Sequence, residues 1–299
     1  MCPDRPTSLR VTSADARLLR SLAVIAGRGR VHSVFRRVVN LRTPHGELIA
    51  LGARGTGDAP RTLVTEMVDW ARAGLVAEQP VTFALANITL GAPGRTLLLE
   101  TAGARPWDAA APALGHLAPA ARAAAAGLLD DLNRRHGEPG GMLGASPGAG
   151  PMETAVVHAL HDGRAALLAA LRAGDDRGVR RGVLALLGLG PGLTPAGDDF
   201  LVGLVLVAPD RLAPVLRDVL AACPARTTDL SRATLAEAAD GRARAELIDV
   251  LRRLANGRPP RELHVPVRKV LAVGHTSGSD TLSGLVAGLR LEEELRGSL

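Results

Sequence analysis

Apolar positions along the chain change their period near residue 106. Before it, short alternating runs dominate. Residues 13–27 are the exception and predict a first helix. Ser13 can cap it, Leu18, Leu19, Leu22, Ala23 and Ile25 form its stripe, and Gly27 ends it. Residues 31–41 are rich in β-branched side chains, Thr43-Pro44-His45-Gly46 is a turn, and 47–53 alternates back, which predicts a hairpin. Residues 62–74 read as helical. Residues 81–90 and 96–101 read as two further strands, separated by the turn Gly91-Ala92-Pro93-Gly94.

Beyond Pro106 the period becomes helical. A helix is expected from about Pro119 to Arg135, because proline suits the first helical position. Residues 137–151 hold six Gly and three Pro without periodicity, the pattern of a linker or mobile loop. Residues 152–187 predict two helices broken near Gly174-Asp175-Asp176. Helical patterns recur at 210–222, 229–240, 243–255 and 281–296, while 267–272 fits strand or helix. The fold class is therefore α+β. A β-rich N-terminal unit (1–106) packs on a mostly helical C-terminal unit (107–299), with a flexible Gly/Pro loop at 137–151.

Composition narrows the function. The 299 residues carry a net charge of +6, and Lys269 is the only lysine among 36 basic residues. Residues 1–54 hold ten Arg against Asp4, Asp15 and Glu47, so the other 245 residues are nearly neutral. Aromatic residues make up 2% of the chain, too few for the stacking platforms of single-strand binders. Both features argue against a nucleic-acid partner. Cys2 and Cys223 are isolated thiols without metal-ligand spacing. The longest strongly apolar run, 200–208, is too short to span a bilayer, and MCPDRPTSLR lacks a signal-peptide core. The expected location is the cytoplasm, with no membrane partner.

Two segments carry the chemistry. The first runs Gly188-Leu-Gly-Pro-Gly-Leu-Thr-Pro-Ala-Gly-Asp-Asp-Phe-Leu-Val-Gly. The second runs Gly274-His-Thr-Ser-Gly-Ser-Asp-Thr-Leu-Ser-Gly. Residues 197–205 and 278–286 match at six of nine positions, offset by 81. Each is a Gly-rich loop entering an apolar helix through an Asp, with Gly203 and Gly284 one turn inside. A helical Gly costs about 1 kcal/mol against Ala, and matched glycines imply close helix packing. Such loops present backbone N–H groups and a positive dipole end to an anion. The candidate phosphate- or substrate-binding residues are Gly190, Gly192, Leu193, Thr194, Gly197, His275, Thr276, Ser277 and Gly278. The candidate catalytic residues are Asp198, Asp199 and Asp280. Asp199 and Asp280 either cap their helices or face a divalent cation, or substrate N–H and O–H groups, beside the anion. No cofactor is required by the sequence, though the three Asp are a possible Mg²⁺ site.

Other candidates are weaker. His158, His161 and Asp162 fall on one helical face, where a solvated helix end is favoured over a metal site. Thr227-Thr228-Asp229-Leu230-Ser231 is favoured as a helix cap, with Arg226 and Ser231 within possible reach of a ligand. Arg36, Arg37 and Arg42 are expected to be solvated or partner-facing. No GxSxG, Walker A, dinucleotide or HExxH motif occurs.

The text GLGPGLTPAGDDFLVG, with GHTSGSDTLSG about eighty residues later, resembles the AllH-type family, which includes the AllH subunit of oxamate carbamoyltransferase. The resemblance implies a subunit of a carbamoyltransferase in purine and allantoin nitrogen catabolism. That enzyme would exchange a carbamoyl group between oxalurate and phosphate, giving oxamate and carbamoyl phosphate, with AllF-like and AllG-like partner subunits. The Ser-Thr-Arg-Thr phosphate loop of better-known carbamoyltransferases is absent. Two alternatives stay open at this point: a stand-alone Mg²⁺-dependent enzyme acting on a phosphorylated or acylated small molecule, and a non-catalytic assembly subunit.

Overall fold

The computed structural model describes residues 6–92 and 94–297. Cys2 and Pro93, the latter in the expected 91–94 turn, lie outside them. The chain divides into two compact units, Met1–Ala109 and Ala110–Leu299.

The first unit is β-rich. Its strands are β1 (Thr7–Asp15), β2 (Ala26–Val34), β3 (Val38–Arg42), β4 (Leu48–Gly52), β5 (Thr62–Thr65), β6 (Pro80–Ala84), β7 (Asn87–Ala92), β8 (Arg95–Glu100) and β9 (Arg105–Trp107). The order β5-β4-β3-β2-β6-β7-β8-β1 closes because β1 also pairs with β5, making an eight-stranded barrel. Most pairs are antiparallel; β1–β8 and β4–β5 are parallel. β9 runs parallel to the far end of β1. In-register pairs Phe83↔Ile88 and Val81↔Leu90, then Ile88↔Leu99 and Leu90↔Leu97, send one apolar row inward.

Several expected elements differ here. Residues 13–15 end β1 rather than opening a helix, because they pair with β5 and β9. The helix is shorter, α1 (Ala16–Leu22), and Asp15 caps it by accepting the Arg17 N–H (3.0 Å). Residues 62–74 are not helical. Thr62–Val64 pair with β4 to close the barrel, and Trp70–Ala73 form a single 3-10 turn capped by Asp69, with Trp70 fully buried. The 31–41 run splits between β2 and β3. The 81–90 run splits between β6 and β7, where Leu85 and Ala86 both take positive φ in a two-residue hairpin turn.

The second unit is helical: α2 (Pro119–His136), α3 (Pro151–Ala173), α4 (Asp176–Leu186), α5 (Ala196–Val207), α6 (Pro209–Ala222), α7 (Asp229–Ala239), α8 (Ala245–Ala255), α9 (His264–Leu271) and α10 (Ser277–Gly297). The ambiguous 267–272 stretch is thus the end of a helix. Every residue of α5 is buried, as its nearly uninterrupted apolar sequence requires. α5 and α10 lie side by side and parallel, with Gly203 beside Gly284 and Val207 beside Gly288. A Cβ on Gly203 would come within 2.0 Å of the Thr281 carbonyl oxygen. A Cβ on Gly284 would come within 2.1 Å of the Phe200 carbonyl oxygen. No larger residue fits either place, so the helical glycines serve the close packing expected of them. Because the helices are parallel, their N-termini open at the same end of the unit. No helix among the described residues is long and apolar enough to cross a membrane.

Candidate functional site

The first turns of α5 and α10 bring Asp198, Asp199 and Asp280 into the protein, at 1%, 8% and 0% exposure. None of them caps a helix. Pro195 is the N-cap of α5, and the acids sit in the first turn, facing inward. What seats them so deeply is the packing of the loops. Gly197 and Gly278 press against the last turns of the preceding helices, where a Cβ would lie 2.1 Å from the Leu186 carbonyl oxygen and 2.2 Å from that of Val270.

The three carboxyl groups are held differently. Asp198 is committed to structure: Oδ1 accepts the Gly188 N–H (2.8 Å) and Oδ2 accepts the Thr227 hydroxyl. Burial raises its pKa, and hydrogen bonds from Thr227, Gly188 and Ser231 oppose that rise. It ties the 188–195 loop and the N-terminus of α7 to α5. Asp199 reaches across to the other motif, where Oδ2 accepts from the Ser277 hydroxyl (2.6 Å), and Ser277 Oγ lies 2.8 Å from Thr194 Oγ1. Burial pushes Asp199 up to about 8. The Ser277 bond pulls it down, and the charges of Asp280 and Asp198 push it further up. Asp280 accepts the Met142 N–H at Oδ1 (2.7 Å), while its buried Oδ2 has no hydrogen-bond partner. Burial raises Asp280 to about 6, against the lowering effect of the Met142 N–H bond and of the nearby Thr276 hydroxyl.

Met142 belongs to the 137–151 stretch, which sequence suggested as a linker. It lies within the helical unit, and its middle forms a wall over Asp280. A Cβ on Gly141 would fall 2.3 Å from Asp280 Oδ1. Glu138 N–H donates to Ser279 Oγ (2.8 Å), and Ser146 N–H donates to Glu153 Oε1 (2.7 Å). Gly140, Gly141, Met142 and Thr227 are thus site residues that sequence reasoning missed. The density of glycine at 137–151 was a signal for close backbone approach as much as for a linker. Thr227 was hidden by its neighbour: Thr228 is the true cap of α7, accepting the Ser231 N–H (3.1 Å).

The remaining candidates divide. Thr194, Thr276, Ser277, Gly197 and Gly278 gather around the carboxyl groups. Leu193 is half exposed, and its carbonyl accepts from Thr228 Oγ1 (2.6 Å). Gly190 and Gly192 shape the loop in left-handed conformations. His275 is exposed and has no polar partner among the described residues. The helix-end N–H groups are not open donors. Those of Gly197, Asp198, Asp199, Gly278 and Asp280 already donate to backbone carbonyls. An anion here would be met by the loop N–H groups and the Thr194, Thr276 and Ser277 hydroxyls.

Among the described residues, no three His, Cys, Asp or Glu side chains gather in a way that could hold a metal. Asp198, turned toward Thr227, does not join Asp199 and Asp280 in a ligand set. His158 and His161 are exposed on α3, with His161 Nε2 3.3 Å from the Met142 carbonyl. In the first unit, Arg36 and Arg37 are exposed, and Arg42 donates to the Gly46 carbonyl (3.1 Å).

A barrel unit, together with a helical unit whose parallel Gly-containing helices bury two interacting carboxyl groups at their N-termini, defines the class. Residues 186–289 match the family model of the oxamate carbamoyltransferase subunit AllH, and residues 10–106 match that of the AllH family N-terminal domain. The chain belongs to the AllH family. No solved structure matches it.

Proposed function

We propose that this chain is the AllH subunit of a carbamoyltransferase that exchanges a carbamoyl group between oxalurate and phosphate, yielding oxamate and carbamoyl phosphate. Its other subunits would resemble AllF and AllG. The observation that carries this reading is the paired, unequal carboxyl groups at the joined N-termini of α5 and α10: Asp199 clasped by Ser277, Asp280 with one oxygen unpartnered.

We read the two Gly/Asp segments as a repeated loop–helix motif with divided roles. The 188–195 loop and the Thr194, Thr276 and Ser277 hydroxyls hold phosphate. Loop N–H groups favour the oxyanion that forms at the carbamoyl carbon. A phosphate oxygen bonds to that carbon, and the C–N bond to the oxamate nitrogen breaks. Asp199, protonated at neutral pH, gives its proton to that nitrogen, and the proton of hydrogen phosphate restores the acid. Asp280 Oδ2 accepts a substrate N–H and so fixes the amide.

Isothermal titration of the chain co-expressed with its partner subunits tests this. Binding of phosphate, carbamoyl phosphate, oxamate or oxalurate, weakened by Ser277→Ala, is expected. Absence of binding by all four would refute it.

A further inference from the structure

Asp280 has an acceptor to spare, yet nothing outside the protein reaches it. The residue is fully buried, and its Oδ2 has no hydrogen-bond partner among the described residues. A buried carboxyl oxygen without a donor is costly, and a ligand that brings an N–H relieves the cost. The 137–151 stretch stands in the way. Gly141 lies over both oxygens, where a Cβ would fall 2.3 Å from Oδ1 and 2.7 Å from Oδ2. Its neighbour Gly140 borders the second Gly/Asp loop, where a Cβ would lie 3.7 Å from the Thr276 methyl carbon.

This stretch is built as a strap between two fixed points. At one end Asn133 of α2 donates from Nδ2 to the Ser279 carbonyl (2.9 Å) and to Ser283 Oγ (3.1 Å), and the Glu138 N–H donates to Ser279 Oγ (2.8 Å). At the other end the Ser146 N–H is held by Glu153 in the first turn of α3 (2.7 Å). Between them, residues 140–144 close on themselves. The Gly140 N–H donates to the Gly144 carbonyl (2.7 Å), and the Gly144 N–H donates to the Gly141 carbonyl (3.0 Å). Gly140 and Gly144 hold φ near +108° and +106°, a region glycine crosses at little cost, so the backbone can swing at both edges of this small loop. Among the described residues, the hydrogen bonds from the loop to the helices converge on Met142. Its N–H donates to Asp280 Oδ1 (2.7 Å), its carbonyl faces His161 Nε2 of α3 at 3.3 Å, and its side chain is buried. A segment tied to the core at one residue opens far more readily than the helices beneath it.

We propose that residues 139–145 are a strap that lifts from Asp280 to admit a ligand with an N–H donor for Oδ2 and then reseats, with Met142 as its peg and His161 as its outer latch. Once reseated, the strap keeps water from the carboxyl pair. The identity of the ligand rests on the carbamoyl-transfer reading; the motion does not.

Amide hydrogen exchange of the full chain, resolved at Met142, tests the strap. The Met142 N–H is bonded and covered, so without local opening it exchanges only when the helical unit unfolds, at the rate of the α5 core amides. It should instead exchange at least ~10²-fold faster than they do. His161→Ala, at an exposed position, should speed Met142 exchange a few-fold and leave the α5 amides unchanged. Met142→Ala, which keeps the backbone donor and removes the peg, should speed it about tenfold or more. Met142 exchange at the α5 rate, or no acceleration in either variant, would overturn the proposal. Oxamate with phosphate, added to the chain co-expressed with its partner subunits at ten times the dissociation constant, should slow Met142 exchange about tenfold. Fast local opening that these ligands leave unslowed would sink the carbamoyl-transfer reading and leave the strap standing.

Discussion

Replacing Asp199 by asparagine should make the protein more stable at neutral and alkaline pH while disabling it. With the carboxyl raised from 3.8 to about 8, the folded state keeps a proton that the unfolded chain has released. Stability from that proton is fully present below about pH 4 and is lost as pH rises through about 8. Each tenfold change in protonation is worth 1.36 kcal/mol, so by pH 8 the accumulated loss is about 5 kcal/mol. Asp280, raised to about 6, adds a loss of the same sign over a lower window. Asparagine keeps the shape and stays neutral. Denaturant titration between pH 4.5 and 8 should show Asp199→Asn ahead by about 4–5 kcal/mol at pH 8 and by about 1 kcal/mol at pH 4.5. In a unit of this size that corresponds to a rise in Tm of about 10 °C at pH 8. Turnover of the reconstituted complex should fall by about 10²–10⁴-fold, the ordinary worth of a positioned acid. A variant less stable than the wild type at pH 8, or a difference that does not shrink on acidification, would refute the reasoning.

Gly203→Ala and Gly284→Ala should each destabilise by about 1–3 kcal/mol in urea unfolding, although alanine is the better helix former, because each Cβ meets a carbonyl of the facing helix. Their effects should fall short of additive in the double variant, since both separate the same pair of helices. Gly141→Ala should displace the wall from Asp280, lower Tm, and weaken substrate binding measured by calorimetry. Ser277→Ala should raise the Asp199 carboxyl further, because the Ser277 hydroxyl, together with that of Thr194, lowers it. The fall of stability with pH should then extend to higher pH, which thermal unfolding across a buffer series would read.

The most legible part of the molecule was the part with the most constrained local chemistry. Gly203 and Gly284 break helix propensity at matched positions, and only a close helix contact accounts for that. The Asp residues were legible as special but not in their roles. As first-turn residues Asp199 and Asp280 look like caps, and only the tertiary packing of Gly197 and Gly278 against Leu186 and Val270 turns them inward. The β unit was harder to read. The Leu85-Ala86 turn carries no Gly, Asn or Asp, so its positive φ values left no trace in the sequence. Residues 62–65 and 13–15 take strand conformation because the barrel must close through β1 and β5, a long-range demand that outweighs local helical pattern. Met142 donates from its backbone, so no residue type advertised its bond to Asp280.

Closure of the barrel also limits how other proteins can join this chain. An open sheet offers its unpaired backbone edge to any extended peptide, and many complexes assemble by adding a strand there. In the first unit, β5 and β8, the ends of an otherwise open order, are both spent on β1. The strand that ends the order, β9, is only three residues long. A protein that meets this barrel finds only short strand edges, so side chains and loops, with their shape and charge, carry the recognition more than a shared backbone ladder does.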